Sequence, residues 1–327
     1  MTPSKSAETA NLMRILLTML LGLWMAAGPG FRVAAAADAP LEHPITAGPI
    51  IADTAVPTPP GQLIIQPFWS LGFMAGNFSP SWRRVSAGGN FRSFQMPVKI
   101  TYGLFQDVEI YAQMGFIHNW ANQVQDPEAA GARSASFSGV SDLALVLKYQ
   151  LIEETTWRPT VTTFLNLDIP TGHHARTNPA RLGIDVLGGG TYAFTGGFNL
   201  SKWLGPVYLY SNLWYSISSR ELGASPHLLA SPLVGPVLSR DVITWNMAAE
   251  WPLSGNWVAL LEFYSSWEVN PLFHRTQQLP SNLMGLLPGI EYIFNPRWSC
   301  ELGVAIDLAG KNSLYGYTPI FTVIWSY

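Results

Sequence analysis

The side chains in this sequence that could bind or select a ligand recur at every second position. Lys99, Glu109, Tyr111, Gln113, Asp142, Lys148, Arg158, Asn166, Asp168, Tyr208, Tyr210, Asn212, Trp214, Asn246, Glu250, Glu262, Tyr264, Glu268, Glu291, Glu301 and Asp307 share one parity within segments whose other parity is apolar. Carboxylates such as Glu109, Glu262 and Glu291 would set charge selectivity along a polar path. The ring faces of Tyr111, Tyr208, Tyr210, Trp214 and Tyr264 would stack on a solute. With Lys99, Glu250 and Glu301 these form the candidate solute path. The alternative is a filled interior in which Lys99, Lys148 and Arg158 pair with neighbouring acids.

Enzyme chemistry finds little support. The sequence holds no Gly-x-Ser-x-Gly elbow, phosphate loop, His-Glu-x-x-His or Cys-x-x-Cys. His118 can reach Ser136 or Ser138 across one loop, which keeps a hydrolase at the barrel rim as a rival reading. His173-His174 follows Pro170-Thr171-Gly172 and reads as a solvated loop pair, because no acids lie nearby at ligand spacing. No catalytic residue, metal site or cofactor is expected.

The elements that must position these residues are strands. From Phe94 to Leu104 the apolar residues Phe94, Met96, Val98, Ile100, Tyr102 and Leu104 alternate with Gln95, Pro97, Lys99, Thr101 and Gly103. Such alternation marks a strand with one apolar face. About twelve such segments run to the C-terminus: 62–76, 92–104, 107–119, 139–150, 158–169, 184–200, 207–218, 241–252, 257–269, 284–294, 298–309 and 317–327. Most are long enough to cross a bilayer, which takes about 9–11 tilted residues. Short turns follow the even strands. Long loops follow the odd ones at 77–91, 120–138, 170–183, 219–240, 270–283 and 310–316, the alternation of outer-membrane barrels.

Composition agrees. The chain of 327 residues is 48% hydrophobic but only 12% charged, half the usual charge of a soluble domain. Disorder and nucleic-acid binding are excluded by that hydrophobicity and by a net charge of -3. A lone Cys300, on the apolar parity, excludes a disulfide scaffold. Aromatics gather at strand ends. Tyr149, Trp157, Trp203, Trp251, Trp257, Phe294, Trp298, Trp325 and Tyr327 lie toward the short turns. Phe73, Trp120, Trp245, Trp267 and Tyr317 lie toward the long loops. Two girdles one bilayer apart suit amphipathic rings. Gly188-Gly189-Gly190 would permit a bend inside a strand.

Upstream, Ile15–Ala27 is a short apolar run followed by Gly28-Pro29-Gly30 and Val33–Ala37, the layout of a secretory signal peptide. Residues 1–37 are read as that signal, 38–61 as a Pro/Ala-rich periplasmic linker without a core of its own, and 62–327 as the barrel.

Two segments carry a family resemblance. Gly139-Val-Ser-Asp-Leu-Ala-Leu-Val-Leu-Lys-Tyr-Gln-Leu151 resembles the Gly-x-Gly-Asp strand opening of the family named for the meta-pathway of phenol degradation, with Ser141 where that family has Gly. Leu165-Asn-Leu-Asp-Ile-Pro-Thr-Gly172 resembles its Leu-Pro-Thr-Gly strand end. The resemblance implies an outer-membrane barrel and uptake of aromatic or hydrophobic molecules. The ending Phe321-Thr-Val-Ile-Trp-Ser-Tyr327 resembles the signal by which barrels reach the assembly machinery.

The sequence is therefore read as an all-β, transmembrane antiparallel β-barrel of the bacterial outer membrane. Its expected surroundings are membrane lipid, lipopolysaccharide and the barrel-assembly machinery, and its expected ligand a small solute. A channel or transporter is the main functional reading; an outer-membrane hydrolase and a structural or adhesin barrel are the rivals.

Overall fold

A computed structural model describes residues 46–125, 132–174, 178–219, 240–253, 255–272 and 279–327. The signal-peptide reading of 1–37 lies outside them. The strands are β1 (Leu63–Phe78), β2 (Arg84–Phe105), β3 (Val108–Gln125), β4 (Ala132–Val140), β5 (Leu143–Ile152), β6 (Thr160–Ile169), β7 (Ala193–Trp203), β8 (Tyr208–Ser218), β9 (Asp241–Pro252), β10 (Trp257–Val269), β11 (Asn282–Asn295), β12 (Trp298–Lys311) and β13 (Ser313–Ser326). Each pairs antiparallel with its chain neighbour, save that β4 and β5 both pair with β3, and β1 pairs with β13. The sheet is therefore closed. β4 and β5 lie against β3 one above the other, so the thirteen strands form twelve staves. Closure pairs the backbone polar groups within the wall, which is the condition for a sheet to cross lipid.

The alternation sorts residues as the sequence requires. Leu213, Leu302, Leu261, Ile100 and Met247 are exposed on the outer surface. Glu250, Glu262, Glu291, Glu301 and Lys148 point inward and are at most 1% exposed. An exterior this apolar around a charged interior is the reverse of a soluble barrel, and it fits a lipid surround. Aromatic pairs brace both rims. Trp298 stacks on Trp325 at 5.5 Å toward the short turns, and Phe73 on Tyr317 at 5.0 Å toward the long loops.

Four local readings need correction. Residues 184–192 are not strand, and β7 begins at Ala193. Gly188-Gly189-Gly190 therefore bends no strand; it lies in the segment that precedes β7. The 310–316 loop is a tight turn, because β12 ends at Lys311, β13 starts at Ser313, and Asn312 between them takes a left-handed φ of 52°. Loops 77–91 and 120–138 shrink for a related reason: β1, β2 and β3 run to 16, 22 and 18 residues, past the length a bilayer needs. Trp203 faces inward, packed on Tyr208, rather than joining the lower girdle.

Candidate functional site

The barrel interior is occupied by the chain's own N-terminal segment. The stretch expected to be a periplasmic linker does not, in its described part, stand apart from the barrel. It enters at the short-turn end, where Gly61 N donates to Gly103 O at 2.8 Å. It rises past Glu109, whose Oε2 accepts from Thr58 N at 2.7 Å. Its crest, Ile50–Asp53, lies against side chains well inside the wall. It then descends to Ala47, whose amide donates to Glu291 Oε1 at 3.0 Å near the lower end of β11. A Pro-rich extended segment has backbone donors without sheet partners, and here polar interior side chains satisfy them.

Glu262 on β10 is the main anchor. Its Oε1 accepts from Ile50 N at 2.7 Å, and its Oε2 from Ile51 N at 2.9 Å and Ala52 N at 2.8 Å. Asn212 on β8 brackets the next residue, with its Oδ1 accepting from Asp53 N and its Nδ2 donating to Asp53 O, both at 2.8 Å. Ser201 Oγ on β7 accepts from Ala55 N at 2.8 Å. Ala52 packs into an apolar cluster with Tyr208, Tyr210 and Ala248.

Asp53 carries the charge of this contact. Lys148 Nζ lies 3.2 Å from Asp53 Oδ2 and 2.8 Å from Glu109 Oε1, and it also donates to Thr54 O at 2.8 Å. Lys99 Nζ lies 3.7 Å from Asp53 Oδ1 and 4.3 Å from the Tyr111 ring centre. Burial alone would push the Asp53 carboxyl up; Lys148 and Lys99 outweigh it and hold the group below its usual range. Lys99 and Lys148 are thus paired, as the filled-interior alternative required. The partner they share, however, is a residue of the N-terminal segment, which no side-chain pattern announced.

Two glycines make room. A Cβ on Gly103 would stand 2.0 Å from Pro59 O and 2.5 Å from Thr58 O. A Cβ on Gly303 would stand 3.0 Å from Ile50 Cδ1 and 2.6 Å from Leu287 Cδ2. Space remains on both sides of the segment. A cavity of about 380 Å³ beneath it is lined by Glu109, Tyr208, Tyr210 and Glu291, and reaches the turn at Asn295–Arg297. A smaller one of about 210 Å³ is lined by Ile51, Phe68, Tyr111, Gln113 and Trp214.

All eleven candidate path residues face the interior, but not as one surface. Lys99, Glu109, Glu262 and Glu291 hold the segment directly or through Asp53. Tyr208 and Tyr210 pack on it, and Tyr210 OH donates to Glu250 Oε2 at 2.7 Å. Trp214 Nε1 donates to Asn199 Oδ1 at 2.7 Å. Tyr264 sits higher, donating to Asp307 Oδ1 at 2.8 Å. Glu301 lies opposite Glu291 across the β11–β12 ladder, and neither of its oxygens has a hydrogen-bond partner. Sequence reasoning missed Asp53, Ser201 and Asn199.

The two segments of family resemblance meet at the break between β4 and β5. Asp142 Oδ1 accepts from Gly172 N at 2.8 Å and its Oδ2 from Gly189 N at 2.7 Å. A Cβ on Gly188 would stand 2.2 Å from Asp142 Oδ1, so the glycine run makes room for this carboxylate. His173 and His174 are not loose in solvent: their Nδ1 atoms bond Asp185 O at 2.7 Å and Gly172 O at 2.9 Å. His118 Nδ1 and Ser138 Oγ do hydrogen-bond, on the outer face. They are cross-strand partners within the β3–β4 ladder.

A solved outer membrane channel from Pseudomonas putida F1 superposes with a TM-score of 0.67 at 13% identity, covering 86% of this chain and 100% of that one. The fold is that of an outer-membrane β-barrel. Weaker likenesses include the CymD monoaromatic hydrocarbon channel, with a TM-score of 0.43 at 11% identity over 83% of this chain and 89% of that one. The translocator domain of the autotransporter NalP from Neisseria meningitidis gives 0.44 at 13% identity, over 82% and 89%. No protein-family model matches the chain, and no curated protein matches it.

Proposed function

We propose that this barrel is an outer-membrane channel for small solutes, held shut at rest by residues 46–61. The observation that carries the reading is how the segment is held. Its amides reach barrel side chains, Glu109, Ser201, Asn212, Glu262 and Glu291, and it adds no strand to the sheet. Withdrawing it toward the short-turn end would leave the wall intact and uncover a polar lumen. The Pseudomonas putida barrel that superposes on this one is an outer membrane channel, which supports the same reading.

Tyr111 and Trp214, beside the 210 Å³ cavity, are the ring faces a small aromatic or hydrophobic solute would meet before the segment, and Tyr208 and Tyr210, beside the 380 Å³ cavity, those it would meet beyond it. Glu109, Glu262 and Glu291 set charge selectivity. The alternating segment Phe321–Tyr327 would serve as the delivery signal to the assembly machinery, and the rims would contact lipid and lipopolysaccharide. Planar-bilayer recording of the full chain tests the function. Brief openings with a cation preference that falls in the Glu262→Gln, Glu291→Gln double variant are expected. A folded barrel that never conducts would leave a structural role. A serine-reactive probe that labels Ser138 would favour the hydrolase.

A further inference from the structure

Four interior glutamates have more acceptors than the closed barrel uses. Glu250, Glu262, Glu291 and Glu301 lie on β9, β10, β11 and β12 and are at most 1% exposed. Lys99 and Lys148 are engaged by Asp53 and Glu109. Among the described residues no Lys or Arg forms a salt bridge with any of the four. Both oxygens of Glu301, Oε1 of Glu250 and Oε2 of Glu291 are buried without a hydrogen-bond partner. A buried carboxyl oxygen without a donor is costly, and a ligand that brings N–H donors and positive charge would both satisfy these oxygens and favour their ionised form.

Glu262 indicates what kind. Its two oxygens receive three N–H donors from consecutive residues Ile50, Ile51 and Ala52 at 2.7–2.9 Å. A guanidinium or ammonium group presents several N–H donors in the same way to a carboxylate. Resting on the channel reading, we propose that Glu250, Glu262, Glu291 and Glu301 bind the transported solute as a small organic cation, a diamine or guanidinium, for which the N-terminal segment is the stand-in in the closed barrel.

A metal ion fits less well. Among the described residues no three acids, histidines or cysteines converge closely enough to ligate one. Glu291 faces Glu301 directly, whereas Glu262 lies four residues along β10 from Val258, the partner of Glu291. Carboxylates so spread suit an elongated ligand with nitrogens at both ends. The 380 Å³ cavity touching Glu291, Tyr208 and Tyr210 is of the size that takes such a molecule, and tyrosine faces attract cations. Entry of the ligand would replace the segment's amides at Glu262 and Glu291, so binding and opening would be one event.

The test is calorimetric titration of the folded full-length chain in detergent with agmatine, which carries an amine and a guanidinium, against neutral 1,4-butanediol and anionic succinate. Agmatine is expected to bind and the two controls not to. Glu301→Gln and Glu262→Gln, each checked for heat-modifiable gel migration, are expected to weaken agmatine at least tenfold. Two variants are used so that one failing to fold leaves the other to decide. No agmatine binding, or equal binding by the parent and both folded variants, would overturn the proposal. Salt conductance of the Gly103→Val barrel without agmatine tests the channel separately. Conduction without agmatine binding sinks only this inference; a Gly103→Val barrel that never conducts sinks the channel.

Discussion

Gly103 is the position where one added carbon acts on the N-terminal segment and on no ionisable group. The Cβ of Gly103→Ala would stand 2.0 Å from Pro59 O and 2.5 Å from Thr58 O. Ordinary contact is about 3.4 Å, so the segment must move by about 1.4 Å, and Gly103→Val demands more. Thr58 N bonds Glu109 Oε2 at 2.7 Å, and a shift of that size breaks it. A hydrogen bond to a charged group is worth about 1.5–3 kcal/mol. At about 1.4 kcal/mol per tenfold, the population with the segment withdrawn should rise roughly 10- to 100-fold. Single-channel recording reads this as open probability, and protease sensitivity of residues 46–61 reads it independently. A folded Gly103→Val barrel with parental open probability and parental protection of the segment would refute the reasoning.

Other outcomes follow from the same contacts. Asp53→Asn removes the charge that Lys99 and Lys148 share. Breaking one side of a buried pair costs on the order of 3 kcal/mol, so open probability should rise about 100-fold in the same recordings. Asp142→Ala deprives Gly172 and Gly189 of their acceptor, and trypsin should then cut at Arg181 faster while the barrel still shows heat-modifiable migration. Leu213→Arg places a charge on the outer face and should cost about 2–4 kcal/mol of folding stability in lipid. Asn212→Asp, one residue away but inward, should leave assembly intact.

Strand positions and facing were legible because a two-residue period reports which face meets lipid, and Leu213 beside Asn212 is as clear a case as Leu302 beside Glu301. Strand ends above the bilayer were not. Between Ser79 and Asn90 the apolar alternation stops, yet β2 pairs with β1 from Arg84, since backbone pairing in water needs no apolar face. The start of β7 was misplaced because Ile184–Tyr192 is rich in glycine and carries no true alternation; its task is to receive Asp142. The candidate path was legible as a set of inward residues, not as an arrangement. What organises Glu262, Glu291, Ser201 and Asn212 is a run of backbone amides from Ala47 to Thr58, and amides leave no trace in residue types. Asp53 stood out only as the one charged residue between positions 46 and 61.

The central claim is that residues 46–61 close a channel and can leave it. Ala55 N lies 2.8 Å from Ser201 Oγ, which puts their Cα atoms within roughly 6 Å, in disulfide range. The full chain carrying Ala55→Cys and Ser201→Cys, with Cys300→Ser to remove the native thiol, would be recorded in planar bilayers before and after reduction. Silence is expected while the disulfide is intact, and cation-preferring openings once it is reduced. Equal conductance in both states would contradict the claim.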